Sequence, residues 1–162
     1  MIIDAAAGLR RVLQGCRVIA VVGLSPNWNR PSYFAAKYMQ EHGYTIVPVN
    51  PGATEILGRK CYPDLGAIPL KVDLVDVFRK AEDASPIADE AIRIGASCFW
   101  LQLGVINREA VDKASAAGLD VVMNRCVKIE HARLFGGLNY AGVNTQVISA
   151  RRALCPPSLS AP

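Results

Sequence analysis

Val18–Tyr33, VIAVVGLSPNWNRPSY, is the stretch whose reading decides the rest of the chain. It opens with a continuous apolar run, the pattern of a strand buried on both faces of a parallel sheet. Gly23 follows, where a side chain would obstruct either the turn or an approaching ligand. The second half is polar and prolyl, and Pro31 stands at a natural first helical position. Strand, glycine turn and helix N-terminus leave unpaired N–H groups at the positive end of a helix dipole, which suits an anion. Arg30, Ser25 and Ser32 add a guanidinium and two hydroxyls to the same loop. The plain alternative is a connecting βα turn. The functional reading is a nucleotide or phosphate cradle.

A chain of 162 residues, 51% apolar and 20% charged, is expected to form one globular domain with a sizeable core. The net charge of +4 comes from scattered basic residues, with no basic run interleaved with aromatics, so a nucleic-acid surface is not expected. The cysteines, Cys16, Cys61, Cys98, Cys126 and Cys155, form no CxxC pair, and histidine is rare. Neither a disulfide framework nor a metal site is indicated. The first residues lack the pattern of a signal peptide, and no apolar run reaches membrane-spanning length. The expected location is the cytoplasm.

Outward from the opening stretch, residues 3–14 have helical spacing closed by Gly15, and Pro31 to His42 form the next expected helix. TIVPVNP supplies a second strand. Residues 51–63 form a Gly- and Pro-rich loop with a short extra strand or turn near Lys60 to Tyr62, and residues 64–69 read as a turn or short helical piece. VDLVDVF, residues 72–78, is the third strand, after which Ser85 is expected to cap a helix with Pro86 in its first turn. SCFWLQL and LDVVM are the fourth and fifth strands, separated by a helix that Asn107 caps. Gly43, Gly95 and Gly118 each stop a helix just before a strand begins. This alternation predicts a doubly wound, five-stranded parallel α/β sheet in a single domain, residues 1–150. The expected strand order is 3-2-1-4-5. ALCPPSLSAP, from Ala153, marks residues 151–162 as a tail.

In such a sheet ligands collect at the carboxyl ends of the strands. Those ends carry amides, hydroxyls, arginines and a phenyl ring, with few groups suited to proton transfer. A nicotinamide cofactor would want GxGxxG and an acidic residue after the second strand, whereas the chain has GLSPNW and Asn50-Pro51. Arg30 keeps an NADP-dependent oxidoreductase as the alternative. No GxxxxGK[ST] occurs, so a P-loop is excluded.

GLSPNWNRPSYFAAKYMQEHGYTIVPVNP resembles the opening of the small stand-alone CoA-binding proteins, whose Rossmann-like domain is similar to that of the succinyl-CoA synthetase alpha subunit. VDLVDVFR, CFWLQLGV and VVMNRCVKIEH extend the resemblance over about residues 15–150. The resemblance implies coenzyme A or an acyl-CoA as ligand, with its phosphates on the loop from Gly23 to Ser32. It implies that Asn50, Pro51, Phe78, Arg79 and Gln102 line the adenosine and pantetheine path. The synthetase relies on a phosphorylated histidine and a second subunit, so a CoA-binding protein is expected rather than a complete enzyme. A non-catalytic partner of an acyl-CoA enzyme stays open, as does a homo-oligomer.

The remaining polar residues have plainer readings. His42 suits a helix C-terminus, and His131, on the last helix, lacks a nameable partner for catalysis. Asp73 and Asp76 are expected at strand ends or on a solvated edge. Phe99 and Trp100 should face opposite helical layers. Cys126 follows the fifth strand at a helix N-terminus beside Arg125, features expected to lower its pKa and let it exchange disulfides with the CoA thiol.

Overall fold

A computed structural model describes residues 1–136. In chain order the elements are α1 (Ala6–Gly15), β1 (Val18–Val22), α2 (Pro31–Glu41), β2 (Thr45–Val49), β3 (Glu55–Ile56), β4 (Arg59–Lys60), β5 (Leu74–Val77), α3 (Ala84–Arg93), β6 (Cys98–Leu101), α4 (Arg108–Ala116), β7 (Asp120–Val122) and α5 (Val127–Phe135). β1, β2, β5, β6 and β7 form the five-stranded sheet, parallel throughout, and β3 and β4 a small antiparallel hairpin. The expected boundary at residue 150 and the tail lie outside the described residues.

Alternate residues of each buried strand feed two helical layers. Ile19, Val21 and Trp100 pack with Leu9, Leu13, Ala35, Met39 and Leu134 of α1, α2 and α5. Ala20, Val75, Phe99 and Leu101 pack with Ala88, Ala91, Ala110 and Ala114 of α3 and α4. Phe99 and Trp100 are both fully buried, on opposite faces as the alternation requires. Burying each such side chain contributes roughly 1.5–3 kcal/mol. The alanines on α3 and α4 let those helices lie close to the sheet.

The strand order is β2-β1-β5-β6-β7, which in terms of the five main strands is 2-1-3-4-5. The third strand lies against the first, in register Ile19↔Leu74 to Val22↔Val77, and not outside the second as expected. The reason is local. The outer edge of β2 is occupied by Tyr62, whose N–H donates to Pro48 O and whose carbonyl accepts from Asn50 N. Pro48 itself, without an N–H, marks β2 as an edge strand. Asp73, meanwhile, accepts from the backbone N–H groups of Arg17 at 2.8 Å and Val18 at 3.0 Å, pinning the third strand beside the start of β1. The corrected order moves the switch point of the sheet to the gap between β1 and β5.

Two helix starts also differ from expectation. α1 begins at Ala6, because residues 1–3 run along the free edge of β7, with Ile3 N donating to Val121 O and Val121 N to Met1 O. α3 begins at Ala84 after a 3-10 turn over Ala81–Asp83. Ser85 therefore lies inside the helix, where its hydroxyl donates to Glu109 and accepts from Lys113. Asn107 does cap α4, its side-chain oxygen accepting from Ala110 N at 2.9 Å.

Candidate functional site at the carboxyl edge

Gly23 is the pivot. It leaves β1 with φ +84°, and a Cβ there would sit 2.6 Å from Phe78 O and 2.7 Å from the Arg79 side chain. Only glycine meets both the left-handed backbone and this close approach. Its N–H donates to Val49 O, which ties the ends of β1, β2 and β5 together at one point.

The loop beyond it is self-supporting. Asn27 N donates to Ser25 Oγ, Asn29 N to Asn27 Oδ1 and Arg30 N to Asn27 O. Ser25 N donates to the hydroxyl of Ser32, in the first turn of α2. No side chain caps α2, whose N-cap is Arg30 and whose first residue is Pro31, so its dipole end stands open to the loop.

Two cavities meet across Gly23, Ser25 and Arg79. The larger, of about 950 Å³, also takes in Arg30, Ser32, Phe78, Lys80, Gln102 and Cys126, with Leu103, Val105 and Ile129 as its apolar wall. The smaller, of about 390 Å³, takes in Asn50, Pro51, Pro86 and Ile87, with Asp64, Asp83 and Glu90 around it. Every residue the sequence assigns to the ligand path, together with Cys126, lines one of the two. They differ in what they offer. The Asn50 side chain donates to Leu24 O and accepts from Gly52 N, so it holds the loop in place at the wall of the smaller cavity. Arg79 is half-exposed and pairs with Asp83 at 3.4 Å. Arg30 has no ion pair within 4 Å among the described residues.

Three residues depart from the sequence reading. Asp76 is neither at a strand end nor solvated: it lies inside β5, 1% exposed, opposite Val21 and Trp100. Its Oδ1 accepts from Gln102 Nε2 at 2.6 Å, and burial pushes its carboxyl up to about 7 against the pull of that hydrogen bond. Cys126 is the N-cap of α5 as expected, but its thiol pKa is raised, not lowered. Burial is the largest cause and the charge of Asp76 adds to it. The N–H groups of Ile129 and Lys128 pull the other way and do not prevail. Arg125 is turned to other work, pairing with Asp4 and, at 3.0 Å, with the fully buried Glu130. His131 sits away from this edge, its Nδ1 3.1 Å from the Tyr38 hydroxyl.

Sequence reasoning missed the Asp76–Gln102 pair. The signal was present, an acid at the centre of a run otherwise read as buried. It also missed Lys80 and the apolar wall, which flank the strand ends. Among the described residues no cluster of His, Cys, Asp and Glu could hold a metal ion, and no helix is long and apolar enough to cross a membrane.

Comparisons with known proteins bear on this edge. The chain is 40% identical over 126 residues to protein YneT of Bacillus subtilis, covering 78% of this chain and 93% of that one. It is 29% identical over 121 residues to the ADP-forming acetate–CoA ligase I of Archaeoglobus fulgidus, where the match spans 68% of this chain and only 18% of the ligase. A solved structure of a protein from Pyrococcus horikoshii OT3 superposes with a TM-score of 0.80 at 44% identity, covering 82% of this chain and 94% of that one. Residues 17–132 match the family described as CoA binding domain, and the chain belongs to that family.

Proposed function

We propose that the carboxyl-edge groove binds coenzyme A or an acyl-CoA. The observation that carries this reading is the pair of cavities joined across Gly23, Ser25 and Arg79 at the β1/β5 switch point. A ligand with a heterocycle at one end, phosphates in the middle and a long amide arm at the other matches that sequence of environments. The adenosine goes to the smaller cavity, where prolines offer apolar faces and carboxylates can accept from amino and hydroxyl groups. The phosphates go to the junction, beside the open end of α2, Arg30, Arg79 and Lys80. The pantetheine arm runs through the larger cavity along Leu103, Val105 and Ile129 toward Cys126.

The chain acts by binding on this reading. Among the described residues, the two cavities are lined by one thiol and no histidine, and binding groups make up most of their polar lining. Membership of the CoA-binding family supports the ligand class, as does the likeness to one domain of an acetate–CoA ligase.

Calorimetric titration with CoA, NADP and NAD at matched ionic strength tests it. CoA is expected to bind and NAD not to. Binding of NADP without CoA would overturn the reading in favour of an oxidoreductase.

A further inference from the structure

Across the middle of the sheet, Val21, Asp76 and Trp100 stand in register on three neighbouring strands and so project to the same face. Trp100 Nε1 donates to Arg125 O at 2.7 Å, which seats the start of α5, and with it Cys126, over this row. Asp76 has no cation within 4 Å among the described residues. Its hydrogen-bond partner is Gln102, which is 3% exposed and lines the larger cavity.

With Asp76 ionised, its pairing fixes which end of the Gln102 amide is left over: the carboxylate only accepts, so the amide nitrogen faces Asp76 and the carbonyl oxygen is the remaining group. That oxygen receives no donor from the described residues. Among the described residues no fully buried side-chain nitrogen or oxygen lacks a partner, so this oxygen is not sealed off from the cavity that Gln102 lines. The floor of the groove therefore presents an acceptor without a donor, on a side chain held in place from behind.

We propose that Asp76, acting through Gln102, makes the groove select the free thiol of a CoA-type ligand over its thioester. The inference rests on the CoA reading of the groove. A thiol S–H donates to the Gln102 oxygen. A thioester has no hydrogen there and brings its own carbonyl oxygen toward another acceptor, leaving both unpaired. Gln102 is the specificity-determining residue, and Asp76 positions it. A thiolate is disfavoured as well, since it would face the same oxygen and a buried carboxylate.

The test is calorimetry at about pH 8 with a reductant present, where the Asp76 carboxyl, which burial lifts to about 7, is ionised. The ligands are CoA, CoA with its sulfhydryl replaced by hydrogen, acetyl-CoA, and the adenosine bisphosphate fragment alone. The native chain is expected to bind CoA about two- to tenfold tighter than the two analogues without S–H, the range of one neutral hydrogen bond. In Asp76→Asn the new amide offers a donor as well as an acceptor, Gln102 is free to turn over, and the ratio should fall to near one. Gln102→Met, of similar length but without the acceptor, should do the same. The bisphosphate fragment should bind all three proteins alike. Equal or tighter binding of acetyl-CoA by the native chain overturns the proposal, and so does a ratio that survives in Asp76→Asn. If the fragment binds while CoA and its analogues are equal, the groove reading stands and this inference falls. If neither CoA nor the fragment binds, both fall.

Discussion

The two ends of the sheet carry similar chemistry arranged to opposite effect. At the amino edge a cavity of about 300 Å³ is lined by Cys16, Arg17, His42, Tyr44, His131 and Phe135, a thiol and both histidines of the chain. By residue type it looks the more reactive. Several of its polar atoms, however, are already engaged. The Tyr38 hydroxyl meets His131 Nδ1, His42 Nδ1 meets Tyr38 O, and Tyr44 and Cys16 both donate to Leu13 O. His42 and His131 pack edge to face at 5.2 Å, with Tyr44 and Phe135 closing the cluster. The carboxyl edge has no histidine, yet its groups are left over: an open helix end, Arg30, and the Gln102 oxygen. A binding site is recognised by what its neighbours leave unsatisfied, not by which residues it contains.

The largest contrast expected is between the two thiols. Burial pushes Cys16 up to about 12 from 9, so its thiolate is on the order of a thousandfold scarcer than that of a free cysteine. Cys126 is also raised, but it is half-buried and two backbone N–H groups oppose the shift. With oxidised CoA, Cys126 thiolate attacks one sulfur of the disulfide, a protein–CoA disulfide forms, and the displaced CoA thiolate takes up a proton. Peptide mapping should find the adduct at Cys126 and not at Cys16, accumulating more slowly than on a free cysteine. Modification of Cys16 or Cys61 with Cys126 untouched would erase the distinction.

The edges should also respond to pH with opposite signs. The Asp76 carboxyl is raised in the folded chain from 3.8 to about 7, so the native state holds its proton longer than the unfolded one. Its stabilisation is complete below about pH 4 and is lost as pH rises through 7, a change on the order of 4 kcal/mol. His131 runs the other way. Burial, with His42 beside it, lowers its pKa below 6.5, so stability is present above that value and is lost as pH falls. Denaturant unfolding followed from pH 4 to 8 should show stability declining toward neutral pH in the native chain and nearly level in Asp76→Asn. An unchanged decline in the variant would place its source elsewhere.

Much of the carboxyl edge was legible because the residues that make it lie in one continuous stretch. VIAVVG followed by a prolyl helix start fixes strand, turn and dipole end together, and the three helix-ending glycines fix the alternation. The strand order was misjudged although Pro48 stood in the second strand as a mark of an edge. Asp76 was misread because its meaning depends on Gln102, distant in sequence, and a buried polar pair has no local pattern. Cys126 was placed correctly and its chemistry wrongly, because helix ends are visible in sequence while desolvation is a property of the packed fold. The amino-edge cluster was invisible for the same reason, since α2 and α5 come together only in three dimensions.

The arginines sharpen the contrast within the carboxyl edge. Arg30→Ala should weaken CoA binding by about 1.5–3 kcal/mol if one charge-assisted hydrogen bond to phosphate is lost. Arg79→Ala should fall at the lower end, because Arg79 must loosen its contact with Asp83 to reach the ligand. Neither should move the melting temperature much, since both side chains are largely in solvent. Calorimetry and thermal melts on the same samples separate the roles. A melting temperature that fell as sharply as the affinity would make the arginine part of the fold rather than of the site.

The smallest effect expected is at the amino edge, and it tests whether the two ends are independent. Tyr38→Phe removes the hydroxyl that meets His131 Nδ1 at 3.1 Å and leaves the ring stacked on His42 at 3.9 Å. Loss of one partly buried hydrogen bond should cost about 0.5–1.5 kcal/mol of stability. CoA affinity should not change, because Tyr38 lies in the later turns of α2 while the groove meets only its first turn. The same substitution removes the group that fixes the His131 ring, so the imidazole should titrate closer to its ordinary value if the ring gains access to water. NMR titration of the two histidines reads this directly, with CoA present and absent. If Tyr38→Phe weakened CoA binding as much as it weakened the fold, α2 would transmit the loss from one edge to the other. The contrast between an occupied cluster and an open groove would then describe one coupled unit rather than two ends.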